Sequence, residues 1–321
     1  MSELQKLKQP IVHEDIGNTP LEDAIFAKIM SKKFRKLKAD DGAIDLTKKA
    51  ISYAVENKKP VKVGLLFGGN KLWRFEEAPE IDWAELFSLM YYLKWMKTIA
   101  SVYEHGAIFE YYSQDISVQS LDNVPRSQTD KYSATFKAML NWVGNYIPDG
   151  VEIIYKRHAD EYANLSQYDK DIEEAKKIVL DSNGGKLPVL TEAQKIATEL
   201  NVKLKPRQSE DPQWREKVEL QHQAIFQNKT LTPYLTDPTI IPTCPTIYPD
   251  LIATGSTKKS YAKFWAGVGA LQKNDDSFSE LVLTPKQLAA ANFEWEDVDI
   301  EGLQGKNFHK IRVLKPAWAI I

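Results

Sequence analysis

Pro60-Val-Lys-Val-Gly-Leu-Leu-Phe-Gly-Gly69 is the stretch on which the fold turns. It is a short β-rich run ended by paired glycines, the pattern of a buried strand running into a loop. Downstream, Asp82-Trp83-Ala84-Glu85 starts a long apolar helix through about Tyr103, closed by Gly106. Ala107 to Tyr112 reads as the next strand, about Asp130 to Tyr146 as a helix, and Val151-Glu-Ile-Ile-Tyr155 as a third strand. Strand–helix–strand–helix–strand is the signature of an α/β fold. The expected architecture is a Rossmann-like, doubly wound, mostly parallel sheet with helices on both faces.

Upstream, Thr19-Pro20-Leu21-Glu22 has the form of a capping box with proline at N1. Leu21, Ile25, Phe26, Ile29 and Met30 follow at helical spacing, and Lys32 to Lys38 form a basic tail. A second helix is expected over about 46–56. The middle of the chain is helical and polar, with helices near 167–181, 191–201 and 212–228. Thr191 with Gln194 forms another capping box, and Pro212 stands at N1. Leu231 to Pro249 is rich in proline and reads as a rigid, irregular connector that places Cys244 in a turn. Strands return at 262–271, 281–283 and 311–314, with Thr284-Pro285-Lys286-Gln287 capping a short helix. The expected division is an α/β core over 1–160, a helical insertion over 161–230, and C-terminal strands over 231–321 that complete or extend the sheet.

Composition narrows the function classes. The chain of 321 residues is 43% hydrophobic and 27% charged, which excludes disordered, collagen-like and coiled-coil architectures. A net charge of −2 leaves no global basic field for nucleic acid or anionic lipid. With one cysteine, Cys244, neither a disulfide within the chain nor a thiolate zinc site is possible. The absence of a membrane-length apolar run and the charged start point to the cytoplasm.

Ligands of open α/β sheets sit beyond the carboxyl ends of the strands. One such loop is Gly68-Gly69-Asn70-Lys71, where glycine amides can approach an anion and the lysine supplies a charge. A glycine turn with a surface lysine fits the same letters. A second loop holds Ser113, Gln114 and Asp115, with Asp122 beyond; such residues hold amines, move protons, or cap turns. Glu85 fits the N3 slot of a capping box behind Asp82. Arg157 and His158 follow the third strand, where an arginine can contact phosphate or carboxylate. The five histidines are dispersed and no metal site is expected. Trp83, Phe87, Tyr91, Tyr92 and Trp95 fall on helical spacing and read as core.

The order of Phe67-Gly68-Gly69-Asn70-Lys71, Pro79-Glu80-Ile81-Asp82-Trp83-Ala84-Glu85 and Tyr103-Glu104-His105-Gly106-Ala107 carries a family likeness. Ser113-Gln114-Asp115, Leu121-Asp122-Asn123-Val124-Pro125 and Tyr132 continue it, and Tyr248-Pro249-Asp250-Leu251-Ile252 closes it. In this order the chain resembles the pyoverdine/dityrosine biosynthesis family, whose best-known members are isonitrile synthases. The likeness runs over about 20–145 and more thinly over 245–270. Ala253-Thr254-Gly255-Ser256-Thr257-Lys258 stands where the family has Arg-Leu-Ser-x-His-Pro.

The resemblance implies condensation of an aromatic amino acid's nitrogen with the carbonyl of a pentulose phosphate, without metal or nicotinamide. It implies Lys71 as an anion clamp and Glu85 and Asp115 as proton-transfer or amine-recognition groups. Gly69, Asn70, Ser113, Asp122, Arg157, His158 and Lys258 would complete substrate binding. Two other readings stay open. One is a nucleotide- or nucleotide-sugar-dependent transferase with Asp115 or Asp122 holding Mg²⁺. The other is a non-catalytic binding or effector protein, which the absent arginine and histidine near 253–258 favour.

Overall fold

The computed structural model describes residues 2–34, 39–68, 71, 80–122, 124–189, 213–245, 250–254, 261–274 and 277–315. Its centre is a five-stranded, wholly parallel sheet in the order β3-β2-β1-β4-β5. The strands are β1 (Val61–Phe67), β2 (Ala107–Ser113), β3 (Val151–Arg157), β4 (Ile240–Cys244) and β5 (Ile252–Ala253). The chain lays down β1, β2 and β3 outward in one direction. It then returns to place β4 on the other side of β1. The order reverses between β1 and β4, so this doubly wound sheet has its topological switch point there, as the sequence predicts for the fold class.

Helices flank the sheet: α1 (Ser2–Lys8), α2 (Leu21–Ile29), α3 (Asp41–Glu56), α4 (Trp83–Ala100), α5 (Asp115–Asp122) and α6 (Arg126–Val143). Further on come α7 (Leu165–Asp181), α8 (Trp214–Gln227) and the short α9 (Pro233–Thr236). In α4 every residue except Lys94, Lys97 and Thr98 is buried, including the aromatic set read as core. A helix apolar on all sides belongs in the middle of a protein. The second sheet explains the position. Strands β6 (Val268–Lys273), β7 (Phe278–Leu283), β8 (Phe293–Asp297) and β9 (Lys310–Leu314) form a separate four-stranded sheet in the order β7-β6-β9-β8, with α10 (Pro285–Ala290) between β7 and β8. The start of α4 is wedged against it. Asn307 Nδ2 donates to the Ile81 carbonyl, Gly269 N–H to Asp82 Oδ1, and Trp83 Nε1 to the Lys310 carbonyl.

Three expectations need correction. The proline-rich segment read as irregular contains β4, and Cys244 is a buried strand residue rather than part of a turn. Burial of Ile240 and Ile241 outweighs the proline. Pro242 pairs with Gly64 on the β1 side, while β5 pairs only from Thr243 onward, so the missing N–H is tolerated next to an incomplete ladder. The last strands form a second sheet apart from β4 and β5, and β8 went unread because its exposed Glu294, Glu296 and Asp297 hide a strand signal. At α2, Pro20 is itself the N-cap and no side chain caps the helix, so the Thr19 box is not made. The helix over 191–201 and residues 35–38 lie outside the described residues. The boxes at Asp82–Glu85 and Thr284–Gln287 are both made.

Gly269 of the second sheet packs directly against the first residues of α4. A Cβ there would fall 2.4 Å from Trp83 Cβ and 2.7 Å from the Ala84 nitrogen. Neither atom can move alone. Gly269→Ala is expected to destabilise the protein by about 1–3 kcal/mol in urea unfolding, as overpacking does.

Candidate active site

The carboxyl ends of β1, β2 and β3 carry two charged networks, and α6 joins them. The first centres on Lys71, which is buried. Its ammonium donates to Asp82 Oδ1 at 2.9 Å and to Glu85 Oε1 and Oε2 at 2.9 and 2.7 Å. The two acids are placed by helix capping. Asp82 Oδ1 accepts from the Ala84 amide at 2.8 Å, and Glu85 Oε2 accepts from the Asp82 amide at 2.8 Å. The capping box therefore fixes both carboxylates before the lysine arrives. Tyr132, on α6, donates its hydroxyl to Glu85 Oε1 at 2.9 Å.

Electrostatics follow from enclosure. Burial raises the Glu85 carboxyl to about 7, with the Asp82 charge adding to the rise and Lys71 opposing it. Burial acts to lower Lys71, but Asp82 and Glu85 together outweigh it and its affinity for a proton rises. Burial and the Glu85 charge hold Tyr132 protonated. The site thus contains one carboxyl that titrates near neutrality between a fixed cation and a fixed hydroxyl.

The second network centres on Arg157 at the end of β3. Its Nε donates to Asp115 Oδ2 and its Nη2 to Asp130 Oδ1, each at 2.6 Å. Asp115 Oδ1 accepts from the Ala159 amide at 3.1 Å. Burial raises the Asp115 carboxyl despite Arg157 and that amide. Consecutive residues of α6 tie the parts together: Asp130 to Arg157, Lys131 to Glu80 at 2.7 Å, and Tyr132 to Glu85.

The predicted residues divide accordingly. Lys71 and Glu85 meet in one network and Asp115 and Arg157 in the other, with Ser113 buried at the end of β2 and paired in register with Phe67 and Arg157. Lys71 was expected to present a charge to an external anion. Its three protons are instead taken by the protein's own carboxylates, because the capping box puts two acids within its reach. Asp115 was offered as a Mg²⁺ ligand in the nucleotide-sugar reading, yet both its oxygens are engaged by Arg157 and Ala159. His158 was expected in a loop; it is buried in a 3₁₀ turn against Tyr112, Tyr162 and Tyr168, and burial lowers it to about 4. Gly69, Asn70, Lys258 and the Asp122 side chain lie outside the described residues. Among the described residues no cluster of three metal-binding side chains occurs. No described helix is long and apolar enough to cross a membrane.

Asp130 and Arg312 were missed. Asp130 had only helix-start polarity to mark it. Arg312 sits in Lys310-Ile311-Arg312-Val313-Leu314, whose alternation assigns its cations to one face of a strand. Two hollows lie elsewhere. One of about 390 Å³ is bounded by Val55, Lys58, Tyr103 and His105 near the amino ends of β1 and β2. One of about 480 Å³ runs along the β3 edge beside Lys137, Leu140 and Tyr155.

The chain is similar in structure to the PvcA protein from Pseudomonas aeruginosa, known from a crystal structure. The TM-score is 0.62 at 15% sequence identity, covering 92% of this chain and all of that one. At that identity the likeness shows the fold. No protein-family model and no curated protein sequence matches the chain.

Two outcomes are expected. Lys71→Met leaves Asp82 and Glu85 buried without their cation and destabilises the fold by about 3–5 kcal/mol in denaturant titration. The Glu85 carboxyl, followed by ¹³C NMR, titrates near pH 7. Because folding raises this group from 4.5 to about 7, its contribution to stability is full below about 4.5 and fades as pH climbs through 7. Glu85→Gln keeps a capping side chain at N3 and flattens that part of the stability–pH curve.

Proposed function

We propose that the chain is a small-molecule biosynthetic enzyme of the isonitrile-synthase type, joining an amino acid's amine to a sugar phosphate's carbonyl. The observation that carries this reading is the enclosed Glu85 carboxyl, poised near neutrality between Lys71 and Tyr132 at the end of β1. Amine–carbonyl condensation needs a base to take the ammonium proton and an acid to protonate the departing hydroxyl. One group with a pKa near 7 serves both steps. Glu85 is fully enclosed, so its proton passes to a substrate through the Tyr132 hydroxyl bonded to it, which accepts one proton as it releases another, while Lys71 stays charged.

The second network has a recognition role in this scheme. Asp130 is about half exposed and lies beside Arg157, where it can receive a substrate ammonium; Asp115 is enclosed and holds Arg157 in place. Lys258, which follows β5 in the chain, stays the candidate for the phosphate. The motif order and the fold shared with PvcA support the assignment.

A non-catalytic binding protein on the same fold is the second reading. The internal pairing of Lys71 and Asp115 favours it, as does the lack of arginine and histidine over 253–258. Incubation with aromatic amino acids and pentulose phosphates, read by mass spectrometry, separates the two. The enzyme reading expects a coupled product that falls at least a hundredfold in Glu85→Gln, the scale of general acid–base catalysis. Ligands that raise the melting temperature without turnover point to the binding protein. If no amino acid or sugar phosphate raises it, both readings fail.

A further inference from the structure

Two groups of the C-terminal sheet reach Asp82 in the carboxyl-end site: the Gly269 N–H, which donates to Oδ1, and the Arg312 side chain. Arg312 lies in the middle of β9, paired in register with Ala270 of β6 and Trp295 of β8. Its guanidinium rests 4.3 Å from the Trp295 ring centre and 5.9 Å from that of Phe293. That seat is mostly enclosed, with 18% of the side chain exposed, and among the described residues its Nε has no hydrogen-bond partner. Nη1 comes 4.0 Å from Asp82 Oδ2, the oxygen that Lys71 leaves free. An arginine stacked on aromatic rings in this way keeps its charge and gives up little motion.

The local charges make the position consequential. Lys71 is one cation facing two carboxylates. With both acids ionised, that group alone is left with a net negative charge inside the protein. Arg312 supplies the missing positive charge, and it does so at Asp82 Oδ2, while Lys71 is bonded to Oδ1. We infer that Arg312 is a positioning residue of the carboxyl-end site: it holds Asp82 from the second sheet, leaving Lys71 to be shared with Glu85. This rests on the reading of Glu85 as the proton-transfer group, but its test reads charge rather than turnover. A protein without synthase activity can therefore still show the coupling, and an active one can lack it.

Every group facing Glu85 enters the test. These are Asp82 on its own helix, Lys71 after β1, Tyr111 of β2, Tyr132 of α6, and, through Asp82, Arg312 of β9. In Arg312→Met the ¹³C midpoint of the Glu85 carboxyl is expected to rise by about one pH unit, since Asp82 loses its second cation and draws Lys71 away from Glu85. Arg312→Lys keeps the charge and restores most of the shift. In an Asp82→Asn background, where asparagine still caps the helix, Arg312→Met leaves the midpoint unchanged because the intermediary is gone. The unmutated protein gives a second reading that needs no variant to fold: the Arg312 side-chain ¹⁵N signals should move with the Glu85 midpoint. Flat ¹⁵N signals between pH 5 and 9 overturn the inference. So does an Arg312→Met midpoint equal to wild type, or an equal shift with and without Asp82.

Discussion

A lysine buried against two carboxylates constrains everything around it. Taking three charges out of water is tolerable only when each finds its partners, and removing one strands the rest. Lys71 meets that condition because Asp82 and Glu85 are already held by the first turn of α4. A helix cap is normally a matter of chain geometry. In this protein the same four residues, Asp82 to Glu85, stop the backbone from fraying and hold the two carboxylates that bind Lys71. The helix start cannot shift without disturbing the ion pairs, nor can the ion pairs change without loosening the helix.

The rest of the molecule converges on that point. The parallel sheet brings the end of β1 beside the end of β2, and β3 beside β2, so that two networks face one helix. Helix α6 then fixes their spacing with successive side chains, Asp130 to Arg157 and Tyr132 to Glu85. From the other side, Gly269 of β6 and Lys310 and Arg312 of β9 contact Asp82 and Trp83. The C-terminal sheet is thus part of the site's support, although its strands pair with none of those in the first sheet.

Burial also gives the site its acid–base range. Glu85 is lifted to about 7 while Lys71 and Tyr132 are pushed further from titrating. A single group is left able to exchange a proton near neutrality. Separation of this kind between neighbouring groups marks the position as a candidate functional site, although structural ion-pair networks also produce it. The Arg157 network lacks it in the same degree, since its carboxylates are bound to a guanidinium that stays charged.

The amino-acid sequence alone determined the α/β class, the strands at 61–67, 107–112 and 151–155, and the Asp82–Glu85 capping box. Each of these rests on neighbours a few residues apart: a strand's run of apolar residues, paired glycines, an acid three positions after a cap. It also named four residues that the structure brings into the two networks, Lys71, Glu85, Asp115 and Arg157. What it could not determine was their pairing. Whether Lys71 faces a ligand or Asp82 depends on where its side chain lies relative to α4, and no spacing in the chain encodes that. The separate second sheet, the strand through Pro242, and the reach of Arg312 to Asp82 were decided by tertiary structure for the same reason. They depend on contacts between segments up to 230 residues apart (Asp82 and Arg312), where burial and charge neutralisation overrule local preference.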